Sequence, residues 1–430
     1  MTKNPHDIRP EQHGRHLPAL TGIRFVAILH IFCFHLWVLF DMKKEPGMEN
    51  LLRDMNDLPR PLFTAIANGW MSTSFFFLLS GFILAYLYWG KDGQLSIPKK
   101  PFWLARAIRI YPIHLILMLI TLLMTTGYQL SLGHSPWLLV TSGLATITLT
   151  QAWYPDFVPI WSWPTWTISA LVFLYAVLPF LLPQLAKLSR RASILFLCTL
   201  PVISLLPTTI YALYFPAGTE GPQFWKIFIG STPLFWLAHF IAGILLSRLF
   251  MPSRADQNNS RQTNISAPKR WFAWGDLALL VVVVVACTQQ IEEPFKFFLR
   301  HGLMMPLYMV IIVDLARGHG IAARLFSLPG TGFLGETGFS IFIWQNFVLM
   351  MCGAFIMFNP EAGQHQFFWA VVGAIVLGVI STYLIEKPIA RKLRRKWLVS
   401  GQSKDNKQIT AANTDSLLTP SNLPAGTSHE

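Results

Sequence analysis

Residues 17–40 read LPALTGIRFVAILHIFCFHLWVLF and decide the class of this protein. The run contains one arginine, no lysine and no acidic residue. With a rise of about 1.5 Å per residue, a helix of this length crosses the roughly 30 Å hydrocarbon core of a bilayer. No small-residue cleavage site follows a short apolar core, so we interpret the run as a permanent membrane span and not as a signal peptide.

The composition of the whole chain agrees with this interpretation. Of its 430 residues, 53% are hydrophobic and only 13% are charged, which is about half the charged share of a soluble domain. The net charge of +13 does not indicate a nucleic-acid partner, because the lysines and arginines form short clusters between apolar runs, as in cytoplasmic loops. The four cysteines lie inside apolar runs without CxxC spacing, so we predict neither disulfides nor a metal site.

Further apolar runs predict an all-α, polytopic membrane bundle of about 10 transmembrane helices. The candidate runs lie at about 17–40, 69–89, 112–128, 137–151, 165–186, 193–214, 233–250, 275–291, 300–316, 335–358 and 367–386. We expect a cytoplasmic N-terminal tail at 1–16 and a membrane domain at 17–397. Residues 398–430 are rich in Ser, Thr, Asn and Pro, which predicts a disordered cytoplasmic tail.

Basic clusters between the runs predict the topology, with both termini in the cytoplasm and the chain in the inner membrane. If every cluster faces the cytoplasm, an even number of spans must separate neighbouring clusters. The rule fails between 91–109 and 187–191, because 112–128, 137–151 and 165–186 all lie between them. Charge does not decide which of the three fails to cross. We assign 137–151 as a re-entrant or partial helix beside a cavity, because it is short and rich in Thr and Ser.

Ionisable residues inside the first run are the first candidates for function, because charge is costly at membrane depth. Arg24 and His35 are eleven positions apart, which places them on nearly the same helix face and about 16 Å apart along the axis. His30 points elsewhere. The alternative is structural: Arg24 extends to the membrane surface and His35 bonds to a neighbouring helix.

Arg106 and Arg109 form a second candidate site at the entrance to the third predicted span. Residues at i and i+3 share a helix face, and the planar guanidinium matches phosphate oxygens better than an ammonium does. The alternative is that both arginines are topology signals in contact with lipid head groups. The spacing alone does not separate the two interpretations.

Taken together, six segments in register over about residues 17–392 resemble the membrane acyltransferase-3 family of bacterial O-acyltransferases. They are LTGIR at 20–24 with His35, FFFLLSGF at 75–82, Arg106-x-x-Arg109, WTIS at 166–169 with Tyr175 and Pro179, GETGFS at 335–340, and EKP at 386–388.

The resemblance implies transfer of an acyl group, usually acetyl from acetyl-CoA, to a hydroxyl of a glycan, a lipid-linked saccharide or another cell-surface acceptor. The family's Arg-x10-His motif matches Arg24 and His35, which are the expected catalytic residues. Its Arg-x-x-Arg motif matches Arg106 and Arg109, which with Ser80 are expected to bind acyl-CoA. Acyl-CoA is then a donor substrate and not a tightly bound cofactor. An imidazole with an ordinary pKa of about 6.5 suits a general base.

The chain departs from the family pattern at three positions. Leu171 stands where many members carry a glutamate, Gln345 where a histidine is common, and Thr21 where an aspartate often precedes the glycine. Glu336 is a further candidate for the site, although it is also explained as a helix-start carboxylate. Trp166 is a candidate sugar-stacking platform, although Trp161, Trp163 and Trp166 are also typical of an interfacial aromatic belt.

A secondary transporter of a polar or anionic solute is the alternative function. It also accounts for many spans, intramembrane Arg and His, and a broken helix. It would have no requirement for CoA. The sequence does not identify the acceptor, because the predicted outer loops at 41–68, 215–232, 291–299 and 359–366 contain no recognisable acceptor motif.

Overall fold

The computed structural model describes residues 17–42, 55, 57–90, 93–216, 221–251, 272–358 and 365–392. Within these ranges the chain is helical, apart from short turns and one isolated β-bridge between Trp89 and Leu95. The predicted tails at 1–16 and 398–430 lie outside the described residues. The all-α prediction is confirmed for the described part of the chain.

The helices are α1 (Pro18–Met42), α2 (Arg60–Ala67), α3 (Met71–Tyr88), α4 (Lys99–Ser131), α5 (Pro136–Ile147), α6 (Trp166–Ala186), α7 (Arg190–Ser204), α8 (Leu206–Tyr214), α9 (Gln223–Ser231), α10 (Leu237–Phe250), α11 (Trp274–Thr288), α12 (Phe295–Phe298), α13 (Met305–Arg317), α14 (Gly320–Phe326), α15 (Pro329–Phe358) and α16 (Gln366–Ser381).

Within the described ranges, 8 helical segments are long and apolar enough to cross a membrane. A ninth forms if α12 and α13, which are bent by 41° at their junction, act as one span. The apolar helix α11 is shorter, at 15 residues. The prediction of about 10 membrane helices therefore agrees with the structure.

The lengths of two helices bear on the predicted spans. Helix α5 has 12 residues and is about 18 Å long, so the run 137–151 does not contain a full span, as predicted. The third span is longer than predicted, because α4 runs unbroken through Pro112 for 33 residues. Arg106 and Arg109 therefore lie on this helix and not in a loop before it.

Glycine contacts set how closely the central helices approach. A Cβ atom on Gly243 of α10 would overlap the carbonyl oxygen of Leu78, and one on Gly81 of α3 would overlap that of Phe240. Gly335 of α15 meets the carbonyl oxygen of Thr21 on α1 in the same way. Small residues at such crossings let helix backbones pack in direct contact.

Two π-helical turns interrupt the described part of the bundle. One spans Leu299–Leu303 between α12 and α13, and the other spans Thr382–Glu386 after α16. Single π-turns inside helices are frequent at functional sites. Arg300 lies on the first of these turns and Glu386 on the second. Both residues are part of the candidate site described below.

Candidate active site

His35 is held by a hydrogen bond to a helix that lies far along the sequence but packs beside α1. Its Nδ1 atom lies 2.9 Å from Oε1 of Gln345 on α15. An amide oxygen only accepts hydrogen bonds, so Nδ1 carries the proton and the lone pair of the neutral ring lies on Nε2. The side chain is partly buried, and Nε2 makes no hydrogen bond with any residue of the described ranges. That nitrogen is free to accept a proton.

His30 occupies another face of α1, as predicted. Its Nε2 atom lies 2.7 Å from the carbonyl oxygen of Ala65, and its Nδ1 atom lies 2.8 Å from Oγ of Ser72. Both ring nitrogens therefore have partners. His30 ties α1 to α2 and α3, and nothing in its contacts links it to His35.

The three predicted arginines form one cluster. Arg24 is close enough to Arg106 and Arg109 for their charges to interact, and Tyr175 of α6 interacts with all three. Arg24 is partly buried, and its guanidinium makes no hydrogen bond or ion pair with any residue that the structure describes. Like charges held together inside a membrane protein require an anionic partner to offset their repulsion.

The other two guanidiniums are held in place by neighbouring side chains. Arg106 donates from Nη2 to the hydroxyl of Tyr88 at 2.9 Å. Arg109 pairs with Glu386, at 3.4 Å between Nη1 and Oε1. Because 41% of the Arg109 side chain is exposed but only 7% of Glu386, the pair presents its positive end outward.

Glu386 also joins two of the sequence motifs. Its Oε2 atom accepts a 2.8 Å hydrogen bond from Oγ of Ser340, which in turn accepts one from Thr382, also at 2.8 Å. Ser340 belongs to the GETGFS segment and Glu386 to the EKP segment. The chain of polar contacts therefore positions Arg109 through two segments that lie far apart in sequence.

The structure brings a further cation to His35 that the sequence analysis missed. Arg300 lies within electrostatic range of His35. Its guanidinium carbon lies 5.4 Å from the ring centroid of Trp166 and 5.1 Å from that of Trp236, and Nη2 donates to the carbonyl oxygen of Gly230 at 3.2 Å. Arg300 appeared in the sequence only as the first residue of a predicted span.

His301, the neighbour of Arg300, is also absent from the predicted site. It is fully buried, and neither of its ring nitrogens has a hydrogen-bond partner among the described residues. Its ring centroid lies 4.8 Å from that of Trp236 and 6.4 Å from that of His239. Buried polar groups without partners are uncommon in folded proteins and often mark a ligand or water site.

The remaining candidates make no hydrogen bond or ion pair with the three clustered arginines in the described ranges. Ser80 donates to the carbonyl oxygen of Phe76 in its own helix at 2.8 Å, and no hydrogen bond links it to an arginine in the described ranges. Glu336 is exposed and pairs with Lys387 at 3.1 Å. Trp166 is 4% exposed, packs against Trp236 and lies under the guanidinium of Arg300. A tryptophan this deeply buried does not face the lipid as an interfacial belt residue would.

The three departures from the family pattern have different structural outcomes. Gln345, where a histidine is common, is the partner of His35. Leu171 is buried in the apolar core, and the hydroxyl of Thr21 donates weakly to the carbonyl oxygen of Leu17 at 3.5 Å. In the part of the chain that the structure describes, no group of three His, Cys, Asp or Glu side chains is arranged to hold a metal ion.

Comparison with known proteins gives a consistent family assignment. The family model described as an acyltransferase domain matches residues 17–387. The chain is 24% identical to the acyltransferase MdmB of Streptomyces mycarofaciens, over 88% of this chain and 93% of that protein. No solved structure matches the chain.

Two longer relatives match over the same share of the chain. One is a Bacillus subtilis (strain 168) protein provisionally named peptidoglycan O-acetyltransferase YrhL, which is 20% identical over 88% of this chain and 55% of that protein. The other is a Staphylococcus aureus (strain COL) protein provisionally named O-acetyltransferase, 20% identical over 88% of this chain and 58% of that protein. The family match favours an enzyme over a transporter. The chain therefore belongs to the acyltransferase-3 family and is a multi-pass membrane protein.

Proposed function

We propose that the protein is an O-acyltransferase that moves an acyl group, acetyl in the simplest case, from acyl-CoA to a hydroxyl of a glycan or other cell-surface acceptor. The observation that carries the proposal is the placement of His35 on the same helix as Arg24, which the arginines of α4 join to form the cluster. Arg24 marks the cluster, and His35 lies eleven residues further along α1, about 16 Å away along the axis. The names of the two longer relatives support acetyl as the acyl group.

The arginine cluster suits the nucleotide end of CoA. That end carries several phosphate charges, and guanidiniums bind phosphate through paired, charge-assisted hydrogen bonds. Arg24 has no anionic partner among the described residues, whereas Arg106 and Arg109 are oriented by Tyr88 and Glu386. The long pantetheine arm then carries the thioester along α1 towards His35.

His35 is the proposed general base. Its Nε2 atom takes the proton of the acceptor hydroxyl while the hydroxyl oxygen attacks the thioester carbonyl carbon. The carbon–sulfur bond then breaks, and the leaving thiolate takes the same proton from the imidazolium to give CoA thiol. The new ester and the thiol balance the reaction. No covalent acyl-enzyme is required, because both substrates meet at one imidazole.

The proposed topology follows the positive-inside rule. It places both chain termini and the arginine cluster on the cytoplasmic side of the inner membrane, where acyl-CoA is present. The acceptor then reaches His35 from the other side. Reporter fusions after Glu430 test this orientation, since a periplasmic reporter signal would contradict it.

The decisive experiment compares two acyl donors. Acetyl-CoA carries the phosphates, whereas acetyl-pantetheine carries the same thioester without them. Arg106→Gln and Arg109→Gln are expected to raise the KM for acetyl-CoA about tenfold each and to leave the KM for acetyl-pantetheine unchanged. An equal effect on both donors would contradict phosphate binding by these residues.

The catalytic role of His35 is tested separately. His35→Ala is expected to lower kcat by about 10²- to 10⁴-fold, the usual contribution of a general base. Arg190→Gln, at the exposed start of α7, is the matched control and should behave as the wild-type protein. Wild-type acyl transfer by His35→Ala, with the protein present in the membrane, would overturn the proposed chemistry.

A further inference from the structure

A second group of charged side chains, separate from the arginine cluster, lies near His35. Glu293 lies in the turn before α12, Lys296 on α12 and Arg300 on the π-turn that follows. Lys296 is within electrostatic range of both Arg300 and Glu293. Lys226 of α9 joins them through an ion pair with Glu293, at 3.1 Å. The group contains three cations and one paired carboxylate.

The two inner cations have no carboxylate in contact within the described ranges. The ammonium of Lys296 makes no hydrogen bond or ion pair with any described residue, and it lies 5.8 Å from the ring centroid of Phe34 and 5.9 Å from that of Trp70. The guanidinium of Arg300 contacts a backbone carbonyl and two tryptophan rings, and its Nε atom is buried without a partner among the described residues.

The carboxylate of this group is already engaged. Glu293 accepts hydrogen bonds from Lys226 and from the hydroxyl of Tyr211, at 3.1 and 3.2 Å. A partly buried cation without a counter-ion costs free energy. Aromatic faces offset only a part of that cost, about 0.5–2 kcal/mol for each contact.

This second group lies beside the proposed base. The ring of Phe34, one of the two near the Lys296 ammonium, lies 5.5 Å from the ring of His35 between centroids, at an angle of 48°. Arg300 is within electrostatic range of both His35 and Lys296. The cations therefore lie near His35, which is about 16 Å along α1 from Arg24.

We propose that Lys296 and Arg300 form an anion-binding subsite for the acceptor, so that the natural acceptor carries a phosphate or carboxylate group near the hydroxyl that is acylated. The proposal rests on the acyl transfer proposed above. The acceptor's anion completes the charge balance of the subsite, and its hydroxyl meets Nε2 of His35. The buried ring of His301, with no partner among the described residues, lies next to Arg300 and adds a hydrogen-bonding group to the same site.

The CoA phosphates do not account for this subsite. The arginine cluster already offers Arg24, unpaired within the described ranges, next to Arg106 and Arg109. A donor bound there places its thioester, and not its phosphates, near His35. A neutral sugar would leave Lys296 and Arg300 with only Glu293 to offset their charges, and that carboxylate is already paired with Lys226.

The experiment follows the charge of the acylated product. Membranes of the source cells are incubated with acetyl-CoA labelled in the acetyl group, and the labelled product is passed over an anion exchanger at pH 7 and at pH 2. Retention at pH 7 is expected. A phosphate-bearing product stays bound at pH 2, whereas a carboxylate-bearing product is released because its carboxyl group is protonated.

Variants then connect this charge to Lys296. The retained fraction, deacetylated with mild base, serves as the acceptor. Lys296→Gln is expected to raise the KM for this acceptor about tenfold without changing the KM for acetyl-CoA. Lys296→Arg keeps the positive charge and should show the wild-type KM for the acceptor. Lys187→Gln is the control, since that lysine is exposed and bonds only to Gln184 in the described ranges.

The outcomes separate the two proposals. No labelling from acetyl-CoA would overturn the acyl transfer itself. A labelled product that passes the exchanger uncharged, or an unchanged acceptor KM in Lys296→Gln, would overturn only the anionic acceptor.

Discussion

The Nδ1 atom of His35 lies 2.9 Å from Oε1 of Gln345, across 310 positions of sequence. The contact joins α1 to α15 and fixes both the tautomer and the orientation of the imidazole. Gln345 occupies a position where the family often carries a histidine. In this chain the partner of the proposed base is therefore a neutral amide.

Gln345→Leu tests this contact. We expect kcat to fall about tenfold, because the ring loses the acceptor that holds the proton on Nδ1, while the KM for acetyl-CoA stays the same. The measurement is steady-state transfer from labelled acetyl-CoA. Ser72→Ala is the matched control, since it removes a similar bond to His30 on another face of α1. A loss of activity in Ser72→Ala as large as that in Gln345→Leu would indicate a general packing effect.

Two glutamates of the family-like segments should differ in their effect on stability. Glu386→Gln removes the charge from a pair whose side chains are 7% and 41% exposed, and is expected to lower the free energy of unfolding by about 1–2 kcal/mol. Glu336→Gln affects the pair with Lys387, whose side chains are 57% and 39% exposed. It should change the free energy of unfolding by less than about 0.5 kcal/mol. Thermal unfolding in detergent compares the two, and equal shifts would contradict the buried role of Glu386.

Glycine substitutions test the close crossing of α3 and α10. A methyl group on Gly243 would overlap the carbonyl oxygen of Leu78, so Gly243→Ala should destabilise the protein by about 1–3 kcal/mol. At Gly127 of α4, an added methyl group would meet no atom within 4 Å. Gly127→Ala should therefore be neutral or stabilising by up to about 1 kcal/mol, and a large loss there would contradict the packing argument.

Ionic strength offers an independent test of the arginine cluster. Raising the salt concentration from about 0.1 M to 1 M shortens the screening length from about 10 Å to 3 Å. Because Arg109 is 41% exposed, the KM for acetyl-CoA is expected to rise severalfold over this range. Acetyl-pantetheine is the control donor, and its KM should stay constant. A flat salt response for both donors would argue against a phosphate site at the cluster.

The sequence by itself determined the class of fold and the first residues of the site. Long apolar runs need a bilayer, and the charge clusters between them predicted that one of three neighbouring runs does not cross. The short length and the Thr and Ser content of 137–151 made it the assigned partial helix. The eleven-residue spacing placed Arg24 and His35 on nearly one face, because helix geometry is local and repeats every 3.6 residues. The resemblance to acyltransferases then rested on short segments that the family match supports as a set.

Only the tertiary structure decided which distant side chains meet. Gln345, Glu386, Lys296 and Arg300 reach the site from helices far along the chain. Lys296 and Arg300 fell at the border of a predicted outer loop, where a lysine or arginine is ordinarily solvated and carries no signal. The role of Lys296 and Arg300 depends on which helices pack beside α1. Apolar periodicity does not predict this packing, because the helices of the bundle are hydrophobic on nearly every face.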